Sequence, residues 1–434
     1  MKILDHEKII GIEVFLTKYK GIRGKLRSTP QDFYVEEISK FPKQDINGKY
    51  SIVELSTINW ETNHLIKELS NKLHISRKRI SFAGTKDKRS KSIRLMSFHK
   101  ISENDINNIN LKDANIKYIY NSNEPVRIGN LIGNIFDINI KDVNIKNIKN
   151  IDKIYSYLKD YGGFPNFFGI QRFGAVRPIT HIVGKYIVKG DFQKAIMSYI
   201  ANPVEGEDKL SYNLRKELEK TNDYSSALKN YPNHLSLEKC MLNKLITDSN
   251  DFISPLMELP NNLQTMFIYA YQSYLFNKII SKRISNNIPL NKAIIGDIIF
   301  PIKNNEIDVR EIPVNQMNID KVNKEISKGK ACVTAVLFGS HSNFSNDEMG
   351  EIEHKIIDEE KIDYRDFIIP EIPYLSSKGS RRAILSNVKN FSYKIINDSI
   401  DKNKYVNIKF ELKKGCYATS LLREFMKADD IKNY

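Results

Sequence analysis

Cysteine is scarce in this 434-residue chain. Cys240, Cys332 and Cys416 lie far apart, and without a Cys-x-x-Cys pair they support neither a disulfide framework nor a zinc ribbon. The eight histidines are scattered, and none stands in a metal-ligand spacing such as His-Glu-x-x-His. A phosphate-loop signature is missing too. No apolar run approaches the length of a membrane span, and the N-terminal MKILDHEKIIGIEVF is too charged for a signal peptide. These absences predict a reduced, soluble, cytoplasmic protein with no metal and no membrane partner.

What is present is ordinary globular composition with a basic surplus. Hydrophobic residues make up 41% and aromatics 10%, which argues against disorder. The length allows two or three domains of about 150 residues each. Lysine and arginine number 67 against 52 acids, a formal charge of +15. A surplus of that size suits a polyanionic partner, nucleic acid first, although a lysine-rich solvated surface gives the same count.

The most informative stretch is FAGTKDKR, residues 82–89. It places one carboxylate, Asp87, among Lys86, Lys88 and Arg89, with Lys91 and Arg94 just beyond. A short apolar run precedes it and an extended-looking segment follows, so the pattern is strand, Gly-hinged loop, strand. Positive neighbours keep such an aspartate ionised. Taken by itself, the spacing also fits a turn residue that merely balances local charge.

Strand-like and helix-like segments alternate over the first 140 or so residues. In DFYVEEI (32–38), Phe33, Val35 and Glu37 share one face of a period-two run. SIVELS (51–56) and IFDINI (135–140) are further strands. Leu65, Ile66, Leu69 and Leu73 form the apolar stripe of a helix after Trp60. The Asn/Ile/Lys repetition DVNIKNIKNIDK (142–153) reflects compositional bias and leads into a helix near 154–158. Between about 190 and 378 the pattern turns helical, its best element being 263–277. Strands resume after Pro373, with Val406, Ile408, Phe410 and Leu412 alternating against polar residues, and a helix at 418–427 closes the chain. Strand-rich ends around a helical middle predict one domain interrupted by another.

Five separated segments together resemble the TruD family of pseudouridine synthases. They are Arg27-Ser-Thr-Pro30-x-Asp32-Phe33-x-Val35-x-Glu37; Gly84-x-Lys86-Asp87-Lys88, preceded by Trp60-x-Thr62-Asn63; Leu131-x-Gly133-Asn134-x-Phe136; Asn166-Phe-Phe168-Gly169-x-Gln171-Arg172-Phe173-Gly174; and Gly415-Cys-Tyr417-Ala418-Thr419-x-x-x-Arg423-Glu424. The fourth is the most specific, and the five in order span nearly the whole chain. One departure is that Ser90 and Ser92 stand where members often have Ala and Thr.

The resemblance implies an α/β (α+β) catalytic domain with a mixed, mainly antiparallel sheet, residues 1–189 plus 379–434. It is interrupted by a more helical insertion domain at 190–378, with RNA held in the cleft between the two. It further implies isomerisation of a tRNA uridine, usually position 13 in the D-arm, by a monomer that needs no cofactor. Asp87 takes the role of nucleophile, attacking C6 of the base or C1′ of the ribose. Phe168 becomes the aromatic face for a flipped base, Asn166 the amide that orients Asp87, and Arg27 the cation beside it. Lys86 is disfavoured as that cation, because consecutive side chains on an extended segment point opposite ways. Arg172 and Arg423 support the site or meet phosphates, and Tyr417 packs near the pocket. The bland alternatives are a core aromatic for Phe168, a turn residue for Asn166 and a surface cation for Arg27. At the level of function, the alternatives are a synthase for another RNA site and an idle RNA-binding protein of the same fold.

Overall fold

The computed structural model describes residues 5–397 and 404–434, and they divide into two compact units. One comprises Tyr19–Phe164, Ser386–Asp429 and Asn433–Tyr434; the other comprises Pro165–Leu385 with 5–18 and Asp430–Lys432. The packing boundaries thus fall at 164/165 and 385/386, whereas the change in sequence character comes near 190 and 378.

The first unit is organised on a large sheet. Its main path runs Lys389–Asn397, Lys404–Lys413, Leu131–Val143, Phe33–Ser39, Lys91–His99, Tyr50–Ile58 and Ala114–Ser122. Arg23–Lys25 adds to Leu131–Val143 and Ile80–Phe82 adds to Lys91–His99, giving nine strands among the described residues. Phe33–Ser39 pairs in parallel with Lys91–His99; the other pairings along this path are antiparallel. The period-two strands behave as their pattern dictates. Val406, Ile408, Phe410 and Leu412 are all buried, and Phe410 lies directly across from Phe136 at a ring separation of 5.1 Å.

Helix Thr62–Lys72 shows how a face is chosen. Glu61 caps its start by accepting from the backbone N–H groups of Asn63 and His64, which satisfies donors that the first turn leaves open. Leu65, Ile66 and Leu69 then pack with Val53, Leu55, Met96 and Phe98 in one core cluster, each contributing about 1.5–3 kcal/mol by burial.

The second unit centres on helix Asn261–Ser285, preceded by Pro260. Gln264, Gln272, Ser273, Asn277, Ser281 and Arg283 of this helix are buried along with its apolar residues. A helix sunk on nearly every side must satisfy such groups internally, and Arg283 does so in an ion pair with Asp297 at 2.6 Å. Sequence character alone suggested a helical middle, but this unit also holds a sheet: Ile298–Lys303, Glu306–Ile307, Ile312–Pro313, Ala331–Leu337 and Ser380–Ala383. Its strands are short or unbroken apolar runs, which carry no alternating signature. No helix among the described residues is long and apolar enough to cross a membrane.

Candidate active site

Asp87 sits in the loop 83–90, between strands Ile80–Phe82 and Lys91–His99. Several contacts fix that loop from beneath. Lys86 turns into the sheet, where its Nζ donates to Glu37 Oε1 at 2.6 Å and to Asn134 Oδ1 at 3.2 Å. Glu37 Oε2 in turn accepts from the Leu95 backbone N–H at 3.1 Å and from the Ser39 hydroxyl at 3.3 Å. Burial lowers the Lys86 amine below the ordinary lysine range, opposed by the charge of Glu37. Glu37 is the third apolar-face position of DFYVEEI, so its burial follows from the strand period.

A second layer of contacts involves Thr62, the first residue of its helix. Its Oγ1 accepts from the Lys86 backbone N–H at 3.1 Å and from Arg94 Nη1 at 3.0 Å. Arg94 is 1% exposed; burial pulls its pKa down to about 10, with Glu37 and Glu61 opposing the shift. Its Nη2 donates to Ser92 Oγ at 2.9 Å, which also pairs with Thr57 Oγ1 at 3.0 Å. Ser90 Oγ donates to the Asp87 carbonyl at 2.6 Å. Ser90 and Ser92, the two departures from the family pattern, therefore use their hydroxyls in holding the loop.

With Lys86 directed inward, Asp87 faces Arg27. The Arg27 Nη2 to Asp87 Oδ2 distance is 3.0 Å, and the pair is asymmetric: the arginine side chain is 10% exposed and the aspartate 48%. The guanidinium lies 3.9 Å over the Phe33 ring, its backbone adopts φ +55°, and its carbonyl accepts from Arg89 Nη2 at 3.0 Å. Burial lowers the Arg27 pKa while Asp87 raises it; an arginine stays charged through the physiological range. The arrangement is an anchored cation holding a carboxylate that remains open to solvent.

Asn166, Phe168 and Arg172 form a separate group in the second unit. Asn166 is buried; its Nδ2 donates to the Ala383 carbonyl at 2.8 Å, and its Oδ1 accepts from Arg382 Nη2 at 2.8 Å. Phe168 is clamped by Asn277, which accepts from its N–H at 2.9 Å and donates to its carbonyl at 3.0 Å. The Phe168 ring meets Phe276 edge-on at 5.4 Å, with the Arg382 guanidinium 4.2 Å from its centroid. Arg172 Nε donates to Ser273 Oγ at 3.3 Å. Arg382 and Asn277 had no sequence signal of a site role: one lies in a charged SRRA strand, the other within a long helix.

Tyr417 occupies the half-buried N-cap of helix Ala418–Met426 in the first unit. Arg423 is 3% exposed in that helix and lies 3.6 Å from Glu424, which favours support over direct phosphate contact. Among the described residues no group of three or more His, Cys, Asp or Glu side chains could hold a metal ion.

This framework has close counterparts. The family model of tRNA pseudouridine synthase D (TruD) matches residues 9–425. A protein of Methanococcoides burtonii named "Probable tRNA pseudouridine synthase D" is 42% identical over 98% of both chains. One of the same name from Thermococcus sibiricus is 35% identical over 98% of this chain and 100% of its own. The crystal structure of a Methanosarcina mazei protein named "Putative tRNA pseudouridine synthase D (TruD)" superposes with a TM-score of 0.85 at 38% identity, covering 100% of each chain. The matches run over nearly the whole chain, and the chain belongs to the tRNA pseudouridine synthase D family.

Proposed function

We propose that this protein isomerises a uridine of tRNA to pseudouridine, with Asp87 as the nucleophile and position 13 of the D-arm as the target. The observation that carries this reading is the Arg27–Asp87 pair. A carboxylate that is 48% exposed, set against an arginine that is 10% exposed, is paired, aimed and accessible. Those are the requirements of a carboxylate nucleophile. A protein that only binds RNA has no use for a negative charge built so firmly into a basic loop.

The reaction breaks the N1 glycosidic bond, turns the base and rejoins it through C5, with no net redox change and no group transferred elsewhere. The chain's own residues therefore have three tasks. Asp87 supplies the nucleophile, Arg27 holds it, and the Phe168 ring gives the extruded uracil a face. The surplus of positive charge supports phosphate contacts. We take the protein to act as a monomer in the cytoplasm; a catalytic domain of residues 1–189 and 379–434 around an insertion at 190–378 follows the change in sequence character, while the packed units divide at 164/165 and 385/386.

The test is carbodiimide mapping of pseudouridine in tRNA after incubation with purified wild-type protein or with Asp87→Asn. The wild type is expected to modify one D-arm uridine. Asp87→Asn keeps size and hydrogen bonding but removes the nucleophile, so it is expected to bind tRNA and form no pseudouridine. Substantial turnover by Asp87→Asn would refute the role of Asp87, and modification elsewhere would refute the position.

A further inference from the structure

A polar cleft of about 430 Å³ opens beside Phe168 within the second unit, a size typical of small-ligand sites, about 300–1,000 Å³. Its walls carry two rings, Phe168 and Tyr269, two cations, Arg172 and Lys378, and serine hydroxyls from 376–380; no carboxylate is among the lining residues. Flat faces, uncompensated positive charge and hydroxyl donors together suit a nucleotide: base, phosphate and ribose. Tyr269 is 48% exposed where Phe168 is 7%. The Arg172 guanidinium carbon is 5.7 Å from the Phe168 centroid and 5.9 Å from that of Tyr269, so one cation serves both rings.

The walls are held before any ligand arrives. Ser273 Oγ accepts from Arg172 Nε and donates to the Tyr269 carbonyl at 2.7 Å, tying cation and ring to one helical turn. Gln272 Nε2 donates to the Phe338 carbonyl at 2.6 Å and to Ser377 Oγ at 3.0 Å. The Ser377 and Lys378 carbonyls accept from the Ser340 and His341 N–H groups, both at 2.9 Å. Gly379, at φ +78°, turns the loop where an added Cβ would come within 2.6 Å of the Leu337 carbonyl oxygen.

We propose that this cleft takes the nucleotide next to the isomerised uridine, its base stacked on Tyr269 and the phosphate between the two nucleotides set against Arg172 and Lys378. Extruding one base strips its neighbour of a stacking partner, and an exposed tyrosine ring replaces that face. The inference rests on the proposed reading of Phe168 as the uracil platform in a tRNA substrate.

Fluorescence anisotropy with unmodified tRNA transcript, alongside pseudouridine mapping, tests it on Tyr269→Ala, Tyr269→Phe and Lys378→Gln, each first shown by its melting curve to be folded. Tyr269→Ala is expected to weaken binding roughly 5- to 150-fold, the range for losing one stacked base, whereas Tyr269→Phe stays near wild type. Lys378→Gln is expected to lower both the affinity and its salt dependence. In transcripts made abasic on one side or the other of the modified uridine, the Tyr269→Ala penalty is expected to vanish for one side, because the ring then has no base to lose. Wild-type affinity in Tyr269→Ala, or a penalty indifferent to both abasic sites, overturns the inference and leaves the proposed activity standing. A wild-type protein that forms no pseudouridine in tRNA removes that reading and this inference together.

Discussion

The buried pair Lys86–Glu37 should decide whether the loop bearing Asp87 is held from below. Its side chains are 5% and 2% exposed and meet at 2.6 Å. Lys86→Met keeps most of the stem but leaves the Glu37 carboxylate buried and unpaired, which is expected to cost about 3–5 kcal/mol. Glu37→Met leaves the amine stranded at a similar cost and also strips the Leu95 N–H of its acceptor. Replacing both removes two charges together, an exchange often neutral or stabilising when the new residues pack. The remaining loss is then about 1–3 kcal/mol for the unsatisfied backbone donor. The double variant is thus expected to be more stable than either single one, the reverse of additivity. Urea unfolding followed by two probes measures this and checks that a single transition is being compared. Pseudouridine formation should fall in the double variant even where folding recovers, because the loop loses its anchor one residue from Asp87. A Lys86→Met protein within about 1 kcal/mol of wild type would refute the argument, since a buried carboxylate that keeps the Leu95 N–H and Ser39 hydroxyl but loses its ion-pair partner should not be that cheap.

Three further outcomes follow from other features. His181 is buried against Phe173 and Tyr274; burial drops its pKa to about 4, against the Ile9 backbone contact and Glu360, which raise it, and with Lys185 lowering it further. A histidine neutral in the fold and protonated when unfolded takes up protons on unfolding between its ordinary value and about pH 4. Stability should therefore fall by about 3 kcal/mol as pH drops through that window, and His181→Phe should flatten that part of a melting-temperature profile if the ring packs. Phe168→Ala should lose about 3–5 kcal/mol of stability from the packed ring and, where still folded, lose turnover as well; normal modification by a folded Phe168→Ala protein would make the ring purely structural. The logarithm of tRNA affinity should fall linearly with the logarithm of salt, by about 0.7–0.9 per phosphate neutralised, and a flat titration would point away from a phosphate-binding surface.

What the sequence disclosed and what it hid divide along the range of the interaction. Strand faces at both ends were legible, because alternation such as Val406, Ile408, Phe410 and Leu412 is a local consequence of the pleat. The same period put Glu37 on the face with Phe33 and Val35. Its partner Lys86 lies 49 residues on, and nothing local couples the two. Arg27 was legible as a motif residue, yet its φ of +55° and its seat on Phe33 depend on neighbours brought in by the fold. Arg381 and Arg382 show the limit most sharply. Consecutive arginines in SRRA suggest a solvated edge, yet Arg381 is buried against Glu353 at 3.1 Å and Arg382 lies on Phe168 and Asn166. A strand sends neighbours to opposite faces, so one arginine goes to a structural ion pair and the other to the aromatic site. Their division of labour needs the sheet between Ile298 and Ala383, whose strands lack alternation. Finding the Asp87 loop from its pattern while missing Arg382 is thus one effect: the first depends on a few adjacent residues, the second on which sheet a charged tetrapeptide joins.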